Sequence, residues 1–139
     1  MAADEHGSPA GIVFRRLDGA PERHRAARML AGSGAGLDDS CVWYALVDLT
    51  TAETRGLAGV AVVRPAGTAT VRLCALAVAG AYRGRGLGRR LIGEVADRLR
   101  AAGAERLAAR SPPGGDLAVL LTRAGFAGRD DGQEWSLAL

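Results

Sequence analysis

Short runs rich in hydrophobic and β-branched residues, separated by turn-forming residues, recur in the first half of the chain, a pattern typical of strands. The run from Val42 to Val47 is the strongest example. A proline at position 21 favours the first turn of a helix, which is predicted to run to Ala31. The pattern predicts strands at residues 12–17, 40–49, 56–64 and 68–78, with turns at 50–55 and 65–67.

The hydrophobic period changes to that of a helix in the second half of the chain. Leu91, Val95 and Leu99 recur at helical spacing, and Gly103 stands where a C-terminal cap belongs. The remaining pattern predicts a strand at 105–109, a helix at 116–124 and strands at 126–129 and 134–139. This order predicts an α/β fold with a mixed, mostly antiparallel central sheet flanked by helices. The length suits one domain over residues 11–139, behind a flexible N-terminal tail at 1–10.

Composition excludes several functional classes. All 18 basic residues are Arg, and without Lys the chain can form neither a Walker-type phosphate loop nor a lysine Schiff base. The 15 acidic residues are interleaved with the arginines and aromatic residues make up 4%, so a nucleic-acid partner is not expected. Two cysteines and two histidines lack ligand spacing, so no metal is expected. We expect a cytoplasmic protein with reduced thiols and no membrane partner.

The segment from residue 71 to residue 90 carries the clearest chemical pattern. A predicted buried strand leads into Gly84, Gly86 and Gly88, which open the amphipathic helix, and four arginines lie at positions 83, 85, 89 and 90. Free amides and the helix dipole favour an anion at a helix N-terminus, and glycines let phosphate oxygens approach the backbone. We therefore expect a phosphate or pyrophosphate ligand. The bland alternative is that the glycines only form a tight turn. A dinucleotide fingerprint would need Gly in place of Arg89.

These residues resemble a known family. The stretches 76–78 and 82–88 resemble the acyl-CoA-binding motif R/Q-x-x-G-x-G/A of the GNAT acetyltransferase superfamily, matched by Arg83, Gly86 and Gly88. A second family signature, a helix that ends in Gly-Phe, is similar to residues 117–126. The element order and the length also match the family from about residue 12 to the C-terminus.

The resemblance implies acetyl-CoA as cosubstrate, no metal, and an amine acceptor, either a small molecule or a protein. In the family, loop amides hold the CoA pyrophosphate and the preceding strand pairs with the pantetheine arm at a splay from the next strand. The backbone amide near Val78 would stabilise the oxyanion while the amine attacks directly in a ternary complex. A homodimer is left open. The cofactor-binding residues implied are Leu76, Ala77, Val78, Arg83, Gly84, Arg85, Gly86, Leu87, Gly88 and Arg89.

The sequence also departs from the family pattern, which leaves the general acid and base unassigned. Leu121 stands where the family often has a proton-donating Tyr, and glycines occupy 114–115 where many members have Asn. The alternative reading is therefore a non-catalytic acyl-CoA-binding domain of the same fold. The candidate bases are Asp48, Glu53 and Cys74. Asp48 could instead be only a turn former, and Cys74 only a small buried hydrophobic residue.

The acceptor side is defined only loosely by the sequence. Trp43 and Tyr44 alternate across their strand, so one is expected in the core and the other along an acceptor cleft, although both could pack in the core. The loop at 32–36, followed by Asp38 and Asp39, lies in the region that commonly shapes the acceptor site and suits a cationic acceptor. Tyr82 is expected to pack or flank the cofactor, and Trp135 to be a core or dimer contact.

Overall fold

The computed structural model describes residues 11–30, 40–50, 56–111, 116–128 and 134–139. The proposed tail at 1–10 and the loops at 32–36 and 130–132 lie outside them. In chain order the elements are β1 (Ile12–Leu17), α1 (Ala20–Met29), β2 (Val42–Asp48), β3 (Leu57–Gly67), β4 (Thr70–Val78), α2 (Leu87–Ala101), β5 (Arg106–Arg110), α3 (Asp116–Arg123), β6 (Ala127–Gly128) and β7 (Glu134–Ala138). A short 3₁₀ turn, Gly80–Tyr82, lies between β4 and α2.

The seven strands form one sheet in the order β1-β2-β3-β4-β5-β7-β6. Every neighbouring pair is antiparallel except β4 and β5, which are parallel because α2 carries the chain back across the sheet. The predicted mixed, mostly antiparallel sheet flanked by helices is confirmed.

Helices cover both faces of the sheet and divide the core in two. On one face α2 buries its apolar stripe, which includes Leu91, Val95 and Leu99, against β2–β5, and α3 adds Leu121. On the other face α1 packs Ala26 and Met29 on residues of β1–β4. We call these the α2–α3 face and the α1 face. Burial of aliphatic side chains on both faces of the sheet is the main driving force for folding.

Trp43 and Tyr44 do point to opposite faces, but both are core residues. Trp43 is 8% exposed in the α1-face core, and Tyr44 is 7% exposed in the α2–α3-face core, where it stacks on Phe14 with ring centroids 5.3 Å apart. The expectation that one of them lines an acceptor cleft does not hold, because each face of β2 is covered by a helix.

The turn between β3 and β4 was predicted at the wrong place. The expected turn at 65–67 is part of β3, since Pro65 pairs with Val71 and Gly67 with Thr70. The chain turns instead at Thr68 and Ala69, and Ala69 takes a left-handed φ of 59°. Pro65 is tolerated because it lies beyond the last residue of β3 that pairs with β2, Val63, where no ladder bond on that side needs its missing N–H.

β4 and β5 pair over only part of their length. The ladder runs from residues 70–73 to residues 106–109 and ends at the pair Leu73 and Ala109. Residues 75–78 keep their pairing with β3, and Cys74 is the extra residue of a β-bulge opposite Val62 and Val63. None of residues 74–78 has a partner in β5 within the described part of the chain. The sheet is therefore open along one edge of β4, immediately before the glycine-rich segment.

Candidate active site

The segment that links β4 to α2 presents its backbone to solvent. Gly84 and Gly86 have left-handed φ values of 80° and 75°, and a Cβ built on either would meet no atom within 4 Å. Gly86 is the N-cap of α2, and the first helical bond runs from the Arg90 amide to the Gly86 carbonyl at 3.0 Å. The amides of residues 87–89 thus have no partner inside the helix and are open to an anion.

A cavity of about 370 Å³ lies against these amides on the α2–α3 face. Seven of the ten predicted cofactor-binding residues line it, whereas Leu76, Ala77 and Arg85 do not. Leu120 and Arg123 of α3 also line it, although the sequence did not single them out as site residues. With Arg83 and Arg89, Arg123 gives the cavity three cationic side chains, which favours a polyanionic ligand. The lining residues are Val78, Tyr82, Arg83, Gly84, Gly86, Leu87, Gly88, Arg89, Leu120 and Arg123.

The glycine at position 88 serves close packing rather than an unusual backbone conformation. A Cβ there would lie 3.0 Å from a methyl of Leu120 and 3.5 Å from one of Val78. The absence of a side chain lets the first turn of α2 approach α3 and the end of β4. Three elements therefore converge on the floor of the cavity.

The open edge of β4 carries the backbone amide of Val78, to which the resemblance assigns the stabilisation of the oxyanion. The Ala79 amide donates to the Ala58 carbonyl at 2.9 Å, so the N–H of Ala79 points towards β3. Because amides alternate in direction along a strand, those of Val78 and Leu76 point away from β3, into the opening beside β5. The Val78 carbonyl points the same way and accepts a hydrogen bond from Arg83 Nε at 3.2 Å.

The side chains of Leu76, Ala77 and Val78 alternate between the two faces of the sheet. Leu76 and Val78 pack with the α2–α3-face core, whereas Ala77 packs with the α1-face core. Leu76 thus offers a second amide on the open edge, and the sequence pattern alone could not show which amides face outward. Leu87 is 2% exposed and anchors the start of α2 in the core.

Tyr82 ties the glycine segment to the end of β2. Its hydroxyl donates to Asp48 Oδ2 at 2.6 Å, while Asp48 Oδ1 accepts from the Thr50 amide at 2.9 Å and the Thr50 hydroxyl at 2.6 Å. The Arg85 guanidinium lies 5.4 Å from the centre of the Tyr82 ring. Asp48, a candidate general base, is therefore engaged in a turn and in this tie, as its structural alternative predicted. The contact joins residues 34 positions apart, which no sequence motif could show.

A Tyr82→Phe substitution tests whether this tie is structural. The variant keeps the ring beside Arg85 but loses the bond to a carboxylate, so we expect the free energy of unfolding to fall by about 1–2 kcal/mol. For the CoA ligand and the acetyl transfer that the motif resemblance implies, we expect the affinity to fall by less than about tenfold and the rate constant by less than about threefold. Denaturant unfolding, calorimetry and steady-state kinetics measure the three quantities. A general acid would instead cost about 10²–10⁴ in rate, and such a loss would contradict the structural role.

Two of the remaining positions considered for acid or base, 121 and 74, are not suited to proton transfer at neutral pH. Leu121, at the family's usual Tyr position, is fully buried in the core. Burial raises the pKa of the Cys74 thiol, with a further contribution from the neighbouring Cys41, while Arg64 and Arg72 oppose the shift. The thiol is therefore protonated at neutral pH and is a poor base. Glu53, Asp38, Asp39 and residues 114–115 lie outside the described residues.

Trp135 has a structural role. Its side chain packs against the α2–α3-face core, and its Nε1 donates to the Ser111 carbonyl at 3.1 Å. This bond ties β7 to the residue that follows β5, as expected for the core alternative.

Two absences in the described part of the chain concern metal ions and membranes. Within the described ranges, no group of three or more His, Cys, Asp or Glu side chains is arranged to hold a metal ion. None of the described helices is both long enough and apolar enough to span a bilayer.

Comparison with known proteins identifies the family. The model of the acetyltransferase (GNAT) family matches residues 12–126, which is most of the chain. The protein therefore belongs to the GNAT acetyltransferase family, and the resemblance noted in the motif is confirmed. Among curated proteins, no sequence matches this chain significantly.

Solved structures share the fold at low sequence identity. A Bacillus subtilis acetyltransferase in complex with CoA has a TM-score of 0.74 at 15% identity, with 92% of this chain and 99% of that chain covered. Arabidopsis thaliana NAA60 in complex with acetyl-CoA gives 0.73 at 14%, with 92% and 98% covered. The Escherichia coli ribosomal-protein-S18-alanine N-acetyltransferase gives 0.67 at 17%, with 91% and 93% covered. These similarities establish the GNAT acyl-CoA N-acyltransferase fold.

Proposed function

We propose that the protein is an N-acetyltransferase that moves an acetyl group from acetyl-CoA to an amine in a ternary complex. The observation that carries this proposal is the meeting of two features at one place. A helix N-terminus with open amides and three arginines lines a cavity, and the unpaired edge of β4 leads directly into it. Structural neighbours include complexes with CoA and with acetyl-CoA, which supports the same ligand.

The residues of the cavity fit CoA. Left-handed glycines with open space leave room for phosphate oxygens next to the amides of residues 87–89. Arg83, Arg89 and Arg123 supply positive charge for the phosphates. The amides of Leu76 and Val78 can pair with an extended pantetheine arm in the way that a missing strand would.

The chemistry follows from this placement. Acetyl-CoA supplies the acetyl group as a thioester; the amine nitrogen bonds to the carbonyl carbon, the carbon–sulfur bond breaks, and the amine loses a proton to solvent. The Val78 amide donates a hydrogen bond to the carbonyl oxygen as negative charge develops there, which is worth about 10²–10³ in rate. A thiol has a pKa near 8.5, so the thiolate can leave and take its proton from water. Positioning and oxyanion stabilisation therefore provide most of the catalysis.

A second candidate is a non-catalytic acyl-CoA-binding domain. The observation that favours it is Leu121, a fully buried leucine at the usual position of the proton donor. Such a domain would bind acetyl-CoA through the same cavity without releasing free CoA.

One assay separates the two functions. We expect purified protein to release CoA thiol from acetyl-CoA only when an amine is present, with a matching amount of acetylated amine by mass spectrometry. The panel includes small amines, peptides with free amino termini and peptides with lysine. Because the chain has no Lys, acetyl-lysine can arise only on the added acceptor. Tight acetyl-CoA binding without release would support the second candidate, and a lack of binding would contradict both.

A further inference from the structure

The α1 face of the sheet carries a groove that the cofactor cavity does not use. The groove encloses about 420 Å³ over β4, β5 and β7. Ala108 lies between Arg72 of β4 and Ser136 of β7 in the strand register, so a small side chain forms its floor. We call this the arginine groove and define it by its lining residues, Thr70, Arg72, Arg106, Ala108, Glu134, Trp135 and Ser136.

The groove lies on the opposite side of the sheet from the cofactor cavity. Its residues on β4 and β5 alternate along their strands with Val71, Leu73 and Leu107, which pack with the α2–α3-face core. Helix α1 packs on residues of β1–β4 and contributes no buried contact to β5 or β7 in the described part of the chain. The groove is therefore a part of the α1 face that the described helices leave open.

The charge of the groove and its border is predominantly positive. The Arg72 Nη1 lies 3.6 Å from Glu134 Oε1, longer than a hydrogen bond, and this nitrogen is buried without a hydrogen-bond partner. Arg64 lies directly opposite Arg72 in the register of β3 and β4, and like charges placed in this way repel. Arg106 and Arg110 add two exposed guanidinium groups on β5. Four arginines thus accompany one carboxylate at these positions, which favours an added anion.

The groove also lies beside the place where an acceptor must arrive. The cofactor cavity occupies the α2–α3 face, so an amine that meets the thioester at the open edge of β4 approaches from the α1 face. Arg72 lies one residue before the end of the β4–β5 ladder. Its β3 partner, Arg64, lies five residues from Gly59, the β3 partner of Val78, so Arg72 is about 17 Å along the strand from the Val78 amide at about 3.3 Å per residue. An extended acceptor spans this distance with about five residues.

We propose that the arginine groove binds a carboxylate of the acceptor, so that the protein selects peptides with acidic residues about five positions from the reacting amine. This inference rests on the proposed acetyltransferase function. Arginine pairs with carboxylates through parallel N–H donors, and the Thr70 and Ser136 hydroxyls add further donors along the same groove.

The test compares peptides that differ only in charge. Ala-Ala-Ala-Ala-Glu-Glu-Ala amide and Ala-Ala-Ala-Ala-Gln-Gln-Ala amide present a free amino terminus, and a second pair presents a lysine amine at the same spacing behind a blocked terminus. For the amine that the protein accepts, we expect the KM of the acidic peptide to be lower by about tenfold or more, with similar kcat, because charge-assisted bonds to the groove hold it. Added salt should reduce this preference, since the arginines are partly exposed.

Arginine variants connect the preference to the groove. Arg106→Gln, at an exposed position, and Arg72→Gln should each reduce the preference by about tenfold or remove it. Arg100→Gln is the matched control, because Arg100 is exposed on α2 at the other face of the sheet, and it should keep the preference. Equal KM values for the two peptides, or a preference that survives both groove variants, would overturn the groove proposal alone. Absence of transfer to every amine would overturn the proposed function and the groove proposal with it.

Discussion

A Gly86→Trp variant is expected to lose at least about 100-fold in affinity for CoA while it keeps its fold. Gly86 has a φ of 75°, so any side chain costs about 1–2 kcal/mol of backbone strain there. A Cβ at this position would nevertheless meet no atom within 4 Å, and the bulk of a Trp would occupy the space in front of the first amides of α2. Calorimetric titration with CoA and thermal unfolding measure the two effects.

Two further variants separate the causes. Gly86→Ala has a similar backbone strain with little bulk, so a much smaller loss of affinity is expected from it. Gly93→Ala is the matched control, because Gly93 lies inside α2 with open space around its Cβ and without a left-handed φ. It should raise the free energy of unfolding by about 0.5–1 kcal/mol and leave CoA affinity unchanged. Unchanged CoA affinity in Gly86→Trp would mean that the ligand does not bind at this helix start.

A Val78→Pro variant is expected to lower kcat by about 10²–10³ while CoA affinity falls by less than about tenfold. Proline removes the one backbone donor that we assign to the developing oxyanion. The strand tolerates it, because the Val78 amide points to the open edge and makes no ladder bond to β3. Steady-state kinetics with saturating acetyl-CoA measure the rate, and circular dichroism shows whether the sheet is retained.

Leu76→Pro is the companion variant, since the Leu76 amide also points to the open edge. If Val78 is the oxyanion donor, Leu76→Pro affects binding more than kcat. The reverse result, a large loss of kcat in Leu76→Pro and a small one in Val78→Pro, would contradict the assignment to Val78 and transfer the role to the other amide.

Most of the fold could be predicted from the sequence because local chemistry and global arrangement agree. The apolar, β-branched and aromatic run of β2, the helical spacing of Leu91, Val95 and Leu99, and the capping glycine at 103 each specify their element without help from distant residues. The β3–β4 turn was misplaced because Pro65 and Gly67 are turn-forming residues that here lie in a strand, while Ala69 takes the left-handed conformation. Pairing with β4 outweighs local propensity at this position.

Part of the candidate site could likewise be predicted from the sequence, and part could not. Gly84, Gly86 and Gly88 could be identified because a strand, a glycine loop and a helix follow one another along the chain. Leu120 and Arg123 could not, because they reach the cavity through the packing of α3 on α2. The bond from Tyr82 to Asp48 and the placement of Arg64, Arg72 and Arg106 on one face of neighbouring strands also depend on strand order, which brings distant segments together.

The most direct test of the central claim is a crystal structure of the protein with acetyl-CoA. We expect the pyrophosphate oxygens within about 2.7–3.2 Å of amides from residues 87–89, and the pantetheine arm along the edge of β4 at Leu76 and Val78. The thioester carbonyl should lie within hydrogen-bond distance of the Val78 amide. The side of the carbonyl carbon that the amine attacks should face the arginine groove. Density for CoA elsewhere on the molecule, or a pyrophosphate away from the start of α2, would contradict the account.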